Sequence, residues 1–444
     1  MTQKVALHTL GCKLNFSETS TIGNEFLKNG FSIVDFEDTA DIYVFNTCTV
    51  TESAERECRQ LVRRALKKNP DAFVIVTGCY AQLRPDEIAA IEGVDAVLGS
   101  NEKFEIFSLL NDFEKKEVSC IYVSPTEELN TFGKASSTAA DSRTRAFFKV
   151  QDGCDYKCSF CTIPLARGKS RSMNPERAVE EFKELLNQGY KEIILTGVNV
   201  GDYGKSFGLD LYHLLLKLIE FEGDYRIRIS SIEPNLLTDN IIELTRTSDK
   251  MCKHFHIPLQ SGNDNVLRLM QRRYNVEDYK KVIYNVKSKI PDAGIGVDVI
   301  VGFPGETEDD FIKTYNFLLD LPISYLHVFT YSERPDTKAI SMNGKVPIAV
   351  RKRRNNMLRI LSEKKRQSFY NQMIGKELEV LFENSNLNGM MKGFSSNYVR
   401  VVHNFNDKLT NEFCVAEITG TQRDSASCKI KEIKNSIVLE TPQF

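Results

Sequence analysis

Three cysteines lie close together in the string Gln151-Asp152-Gly153-Cys154-Asp155-Tyr156-Lys157-Cys158-Ser159-Phe160-Cys161. The Cys-x3-Cys-x2-Cys spacing supplies three thiolates, whereas a structural zinc ion or a fully ligated four-iron cluster takes four protein ligands. One corner of the metal group is then free to bind something that reacts. Two chemistries fit. One is a zinc site completed by a distant His or Cys, although zinc ribbons usually carry paired Cys-x2-Cys motifs. The other is a 4Fe-4S cluster with an open iron.

Three further cysteines share one structural address. Residues 5–10 read as a strand ending at Gly11-Cys12, residues 41–45 as a strand ending at Asn46-Thr47-Cys48, and residues 72–77 as a strand ending at Gly78-Cys79. Helix-like segments, residues 18–29 and 52–68, lie between them. Strands and helices alternating at about 30-residue spacing indicate βαβ units and a parallel sheet. All strands of such a sheet point the same way, so Cys12, Cys48 and Cys79 fall at the carboxyl edge, where open α/β sheets gather their ligands. Gly11 and Gly78 permit the tight turns before their cysteines. A single cysteine there would pass for an ordinary buried residue, but three in one position point to a second metal site.

The elements that position the later triplet follow a polar, Ser/Thr-rich stretch, residues 124–142, which reads as a linker. Strand candidates then fall at residues 146–150, Glu192–Thr196, 226–230, 254–258, 296–301 and Tyr325–Thr330. Helical periodicity separates them: Ala178, Val179, Phe182, Leu185 and Leu186 form one apolar face, and Leu211, Leu214, Leu215 and Leu218 another. Asn174-Pro175 marks a helix start. Six strands with intervening helices fit an open (β/α)6 barrel, and the triplet follows its first strand, on the face where α/β barrels place their chemistry. From about residue 373 the period changes to two, with Leu378, Val380 and Phe382 alternating with Glu377, Glu379 and Glu383. Several short strands with turns at Gly389, Gly393 and Gly420 read as a small β-barrel.

The chain has 444 residues, 41% of them hydrophobic and 27% charged, with a net charge of −2. That length exceeds one ordinary core, and the composition is that of a soluble globular protein with two or three domains. No apolar run approaches a membrane span, and the first residues run into a strand without a signal-type apolar core. A cytoplasmic location with no membrane partner is the expectation. There, 11 cysteines point to metal or redox chemistry more than to disulfides. With so little net charge, any nucleic-acid binding must come from local patches.

The later triplet resembles that of the radical S-adenosylmethionine (SAM) enzymes, and together with Cys12, Cys48 and Cys79 it resembles the radical SAM methylthiotransferases over essentially the whole chain. The resemblance implies an α/β fold in three parts: an N-terminal parallel α/β cluster domain (residues 1–123), a central open (β/α)6 radical SAM barrel (143–370) after the linker, and a C-terminal TRAM β-barrel (371–444). It implies two 4Fe-4S clusters, an auxiliary one on Cys12, Cys48 and Cys79 and a SAM-binding one on Cys154, Cys158 and Cys161. Strand-end residues Thr196, Gly197, Asn199, Ser230, Glu233, Gln260 and Ser261 would contact SAM. The strings Gly11-Cys12-Lys13-Leu14-Asn15, Asn46-Thr47-Cys48-Thr49-Val50-Thr51 and Gly197-Val198-Asn199-Val200-Gly201-Asp202-Tyr203-Gly204 are most similar to the branch that makes the 2-methylthio derivative of tRNA N6-threonylcarbamoyladenosine. Sister branches act on isopentenyl-adenosine in tRNA or on a ribosomal-protein aspartate. A non-enzymatic iron–sulfur electron carrier or metal-stabilised RNA-binding module would share the cysteines but not consume SAM.

The implied reaction suits the substrate atom. Carbon 2 of adenine carries a hydrogen without useful acidity, so no base can remove it, whereas a carbon radical generated from SAM can. The implied sequence uses two SAM molecules, one to methylate a cluster-bound sulfur and one to make the radical. It calls for an external reductant protein such as a flavodoxin or ferredoxin. His8, His256 and His327 read as core or supporting residues, not bases.

Gly393-Phe394-Ser395-Ser396-Asn397-Tyr398 resembles the TRAM motif, which implies RNA binding, although Phe394 and Tyr398 also read as strand core. Two basic runs are candidate phosphate contacts: Arg351-Lys352-Arg353-Arg354, with Arg353 and Arg354 as chosen contacts, and the helix bearing Arg56, Arg59, Arg63, Arg64, Lys67 and Lys68. Reversing Arg63 and Arg64 is expected to weaken tRNA binding and flatten its salt dependence; unchanged affinity and slope in filter binding would refute that role.

Overall fold

The computed structural model describes residues 2–49, 52–110, 112–129, 132–133, 135 and 144–434. Its N-terminal unit is one parallel sheet of six strands: β1 (Lys4–Thr9), β2 (Ser32–Val34), β3 (Ile42–Thr47), β4 (Phe73–Gly78), β5 (Ala96–Leu98) and β6 (Cys120–Tyr122), in the order β2-β1-β3-β4-β5-β6. Every residue of β3 and β4 is buried, as expected of central parallel strands covered on both faces. The sequence shows β1, β3 and β4; the other three strands have three residues each, too few to display a period.

The helices that carry the site are α1 (Lys13–Lys28), α2 (Glu52–Lys68) and α3 (Cys79–Leu83), with two short ones, Pro85–Ala89 and Ile106–Leu109, after them. Helix α1 starts five residues earlier than its apolar spacing predicts. Its first turns hold Asn15, Ser17 and Thr19, residue types whose side chains compete with the helix for backbone partners. Here they bond back along it: Ser17 Oγ donates to the Leu14 carbonyl and Thr19 Oγ1 to that of Asn15 at 2.9 Å.

The central unit matches the expected open barrel. Strand β7 (Arg145–Lys149) pairs in parallel with Glu192–Thr196, and that strand with Arg226–Ile229. His254–His256, Gly294–Val301 and Tyr325–Thr330 form a second parallel set. Bridges Ile227–Met251 and Ser231–His256 join the two sets, so six strands run in sequence order. The two free edges are covered, β7 by α1 and Tyr325–Thr330 by the helix Ile348–Asn371, which removes unpaired strand edges from solvent. Of the stretch read as a linker, residues 130, 131, 134 and 136–142 lie outside the described residues. Its first part is docked: Gln82 Nε2 donates to the Ser124 carbonyl at 2.9 Å, and Thr126 Oγ1 to that of Leu165.

The C-terminal unit is a closed five-stranded barrel of Glu377–Phe382, Met390–Ser395, Arg400–Asn404, Phe413–Thr421 and Ala426–Ile433. It sits under the amino ends of the central strands. The fully buried Glu192 carboxylate accepts from Arg226 Nε at 2.7 Å and from Arg228 Nε at 2.8 Å. The same two guanidiniums reach down to the Phe394 carbonyl (2.7 Å) and the Ser395 carbonyl (3.2 Å). Phe394 and Tyr398 stack at 4.9 Å, and Arg228 lies 4.9 Å from the Tyr398 ring. These aromatics therefore pack against the central unit. Replacing Glu192 by Ala strands two buried cations, at an expected cost of about 3–5 kcal/mol. Urea denaturation of the full chain measures it, and a loss of under about 1 kcal/mol, the worth of an exposed pair, would contradict this role.

Candidate active site between two cysteine trios

The later trio lies on the loop after β7. Gly153 has φ +68°, and a Cβ there would stand 2.0 Å from the Lys169 carbonyl oxygen, so only glycine allows the chain to cross here. Cys154 N donates to the Gly168 carbonyl at 3.1 Å and Cys161 N to that of Cys158 at 3.1 Å, which folds the loop on itself. All three cysteines are half-buried. Burial pushes the Cys154 and Cys161 thiols up to about 12. Cys158 Sγ accepts from Arg272 Nη1 at 3.0 Å, and Arg272 also holds Glu233. A cavity of about 240 Å³ beside Cys161 is lined by Thr162, Gln260, Asp298, Thr330 and Tyr331.

The other strand ends turn polar atoms toward this loop region. Among the described residues, Thr196 Oγ1, Asn199 Oδ1 and Ser230 Oγ are buried without a hydrogen-bond partner. Buried polar atoms in folded proteins are nearly always paired, so these three are acceptors that a bound ligand or water would satisfy. Gly197 packs on Gln151, whose Oε1 would lie 2.8 Å from a Cβ, and the same Oε1 accepts from Asn199 N. Gln260 adopts φ +70° and donates its backbone N–H to Asp298 O at 2.8 Å. The Ser261 hydroxyl is engaged with Thr314 Oγ1 at 3.2 Å, behind the strand end. Glu233 keeps its ion pair with Arg272, while burial raises its pKa.

At the carboxyl edge of the N-terminal sheet, Cys12 caps the start of α1, Cys48 follows β3 and Cys79 opens α3. Gly11 (φ +111°) lies against Cys48, whose Sγ would be 3.1 Å from an added Cβ. Asn15 Nδ2 ties the Leu10 and Thr47 carbonyls together at 2.8 and 3.0 Å, joining the ends of β1 and β3. Burial raises the Cys12 thiol pKa, and Arg167 opposes it. Cys12 and Lys13 are nonetheless exposed to solvent. Burial also lowers the Lys13 ammonium pKa, and Tyr398, Arg228, Arg145 and Glu192 act on its charge.

One buried cluster joins the two trios, and nothing in the sequence reading anticipates it. Arg167, six positions after Cys161, is 2% exposed. Its Nε donates to Cys79 Sγ at 3.2 Å, its Nη1 to Glu18 at 2.8 Å and Asp152 at 3.1 Å, and its Nη2 to Asn15 Oδ1 at 2.8 Å and Glu18 at 3.0 Å. Lys103 Nζ meets Glu18 at 2.6 Å, and Lys149 Nζ meets Asp152 at 2.7 Å and Glu18 at 3.3 Å. Burial alone would raise the Glu18 pKa, but Arg167, Lys103 and Lys149 hold it well below the ordinary carboxylate range. No motif carries these residues; they lie up to 152 positions apart.

The expected RNA contacts divide. Arg63 lines an outer cavity of about 1000 Å³ with Arg59, Lys67, Lys115 and Lys116, and Arg64 pairs with Glu37 at 2.6 Å on the surface. Arg353 is exposed and paired with Glu308 at 2.8 Å. Arg354 is 3% exposed, and its guanidinium is engaged by Glu306 and Glu308, both at 2.9 Å. It offers no face to a phosphate.

A tetrahedral zinc ion with sulfur ligands at about 2.3 Å draws those sulfurs to within about 4 Å of one another. Among the described residues, the set of three metal-ligating side chains gathered within 4.8 Å is His256, Asp298 and His327, and neither cysteine trio closes that far. His256 is satisfied within this set and beside it, by Asp298 at 2.9 Å and by Ser231 Oγ at 2.7 Å. Two open sets of three thiols, wider than one ion requires and each touched by a buried arginine, fit iron–sulfur clusters.

Comparison with known proteins agrees. A family model described as the radical SAM superfamily matches residues 148–318, and one described as uncharacterized protein family UPF0004 matches residues 4–99. The chain is 42% identical to the threonylcarbamoyladenosine tRNA methylthiotransferase MtaB of Aquifex aeolicus, over 85% of this chain and 92% of that one. It is 36% identical to the MtaB of Thermotoga maritima over 98% of both. A tRNA-2-methylthio-N(6)-dimethylallyladenosine synthase of Thermoanaerobacter is 33% identical over 96% of this chain and 92% of its own. In fold, the radical SAM methyltransferase TsrM of Kitasatospora setae, solved with cobalamin and a 4Fe-4S cluster, is similar at a TM-score of 0.54 and 14% identity, over 88% of this chain and 81% of that one. The chain belongs to the radical SAM methylthiotransferase family.

Proposed function

We propose that this enzyme converts N6-threonylcarbamoyladenosine beside the anticodon of tRNA into its 2-methylthio derivative, in the cytoplasm and with electrons from an external reductant such as a flavodoxin or ferredoxin. The observation that carries the reading is the pair of open thiol trios, with Arg167 from the segment after the second trio bonded to Cys79 of the first, in a chain whose relatives at 36–42% identity are named for this substrate. Cys154, Cys158 and Cys161 hold one 4Fe-4S cluster, and Cys12, Cys48 and Cys79 the other. When bound, these groups supply the electron that cleaves SAM and the sulfur that is methylated and transferred.

The chain's own residues bind and orient. Thr196, Asn199 and Ser230 direct their unpartnered oxygens to the polar parts of SAM, Glu233 and Gln260 lie at neighbouring strand ends, and Gly197 leaves room for close approach. None has to remove the C2 hydrogen as a proton, which agrees with a site whose histidines are engaged: His256 by Ser231 and Asp298, and His254 by Tyr325. The threonylcarbamoyl group carries a carboxylate that an isopentenyl group lacks. Lys13, exposed and next to Cys12, is the cation we assign to that carboxylate. Arg59, Arg63 and Lys67 offer phosphate contacts on the outer face.

The test is in vitro turnover by reconstituted enzyme with SAM, a reductant and tRNA bearing threonylcarbamoyladenosine, read by mass spectrometry of the digested nucleosides. The expected result is the 2-methylthio nucleoside with release of 5′-deoxyadenosine and S-adenosylhomocysteine. Unmodified threonylcarbamoyladenosine alongside product from isopentenyl-adenosine tRNA would contradict the substrate assignment.

A further inference from the structure

Arg167 has more partners than charge neutralisation needs. Glu18 already meets Lys103 at 2.6 Å and Lys149 at 3.3 Å, and Asp152 already meets Lys149 at 2.7 Å and Arg171 at 3.4 Å. Each carboxylate therefore has two cations besides Arg167. What Arg167 alone provides is an N–H aimed at a cysteine sulfur: its Nε lies 3.2 Å from Cys79 Sγ, while Nη1 and Nη2 hold the fork rigid against Glu18, Asp152 and Asn15. The whole group is out of solvent, Glu18 at 0% and Arg167 at 2% exposure, so water does not screen it. Four cations, Arg167, Lys103, Lys149 and Arg171, face two carboxylates there, leaving an excess of positive charge beside the sulfur.

We infer that Arg167 is a positioning residue that fixes the Cys79 sulfur and raises the electron affinity of the metal group Cys79 helps to hold. The inference rests on the reading of Cys79 as a ligand of the auxiliary cluster. A hydrogen bond and a positive charge at a ligand sulfur both favour the more negative, reduced state of an iron–sulfur cluster, and reduction potentials follow sulfur hydrogen bonding, net charge and solvent exposure. The Cys158 sulfur has a comparable donor in Arg272 at 3.0 Å, but Arg272 does not touch the N-terminal trio. The direct sulfur contact of Arg167 is therefore to one of the two groups.

The experiment is an EPR-monitored redox titration with iron determination on anaerobically reconstituted full-length protein, comparing wild type, Arg167→Gln, Arg167→Lys and Cys79→Ala. The expected result is wild-type iron in Arg167→Lys, with the auxiliary midpoint moved to more negative potential, further in Arg167→Gln than in Arg167→Lys, and the SAM-cluster midpoint unmoved. A full iron content with an unmoved auxiliary midpoint in Arg167→Gln overturns the inference. Loss in Arg167→Lys of the same iron that Cys79→Ala loses also overturns it, because the residue then holds the fold without tuning the group. Full iron in Cys79→Ala instead removes the ligand reading beneath it, a result distinct from the other two.

Discussion

Glu18 lies wholly out of solvent among cations from three separated parts of the chain: Lys103 of its own unit, Lys149 on the first barrel strand, and Arg167 beyond the second cysteine trio. Taking such charges out of water costs several kcal/mol per ion, recovered only where every partner is in place. An arrangement of this kind is a poor source of net stability and a strong source of geometry. A slip of α1 along β7 would leave unpaired charge in the interior, so the N-terminal sheet and the barrel meet in one register. That register brings the carboxyl edge of one parallel sheet to the loop that carries Cys154, Cys158 and Cys161.

Parallel strand polarity does the rest. In both units the strands deliver their carboxyl ends, and the loops that follow, to one face. Those carboxyl ends carry the six cysteines, the unpartnered oxygens of Thr196, Asn199 and Ser230, and the exposed Lys13. At the opposite, amino end of the barrel, Glu192 with Arg226 and Arg228 ties down the C-terminal barrel. Two buried ion clusters, one at each end, thus join three units into a single body with its chemistry at one end.

Much of this was legible in the sequence. Cys12, Cys48 and Cys79 each follow a six-residue parallel strand, and strand-end logic places them together without any contact information. The barrel strands were readable for the same reason, and Glu192–Thr196 and Tyr325–Thr330 fall where expected. The start of α1 was hidden because Asn15, Ser17 and Thr19 are weak helix formers that function here by bonding back to the backbone and to neighbouring strands. The ion cluster was hidden for a different reason: pairing of Glu18 with Arg167 is a tertiary fact with no local period. Charge runs misled in part. Arg351 and Arg354, three apart on one helix face, turn inward to Glu333 and Glu306, while Arg353 between them stays outside.

The central claim is that the two trios hold their clusters near one another, on either side of the Arg167 ion cluster. EPR of the doubly reduced holoenzyme, set against the sum of spectra from variants that each lack one trio, tests it most directly. Magnetic interaction between neighbouring clusters, seen as splitting, broadening or faster relaxation absent from that sum, is the expected result. Spectra that add without change would contradict the account.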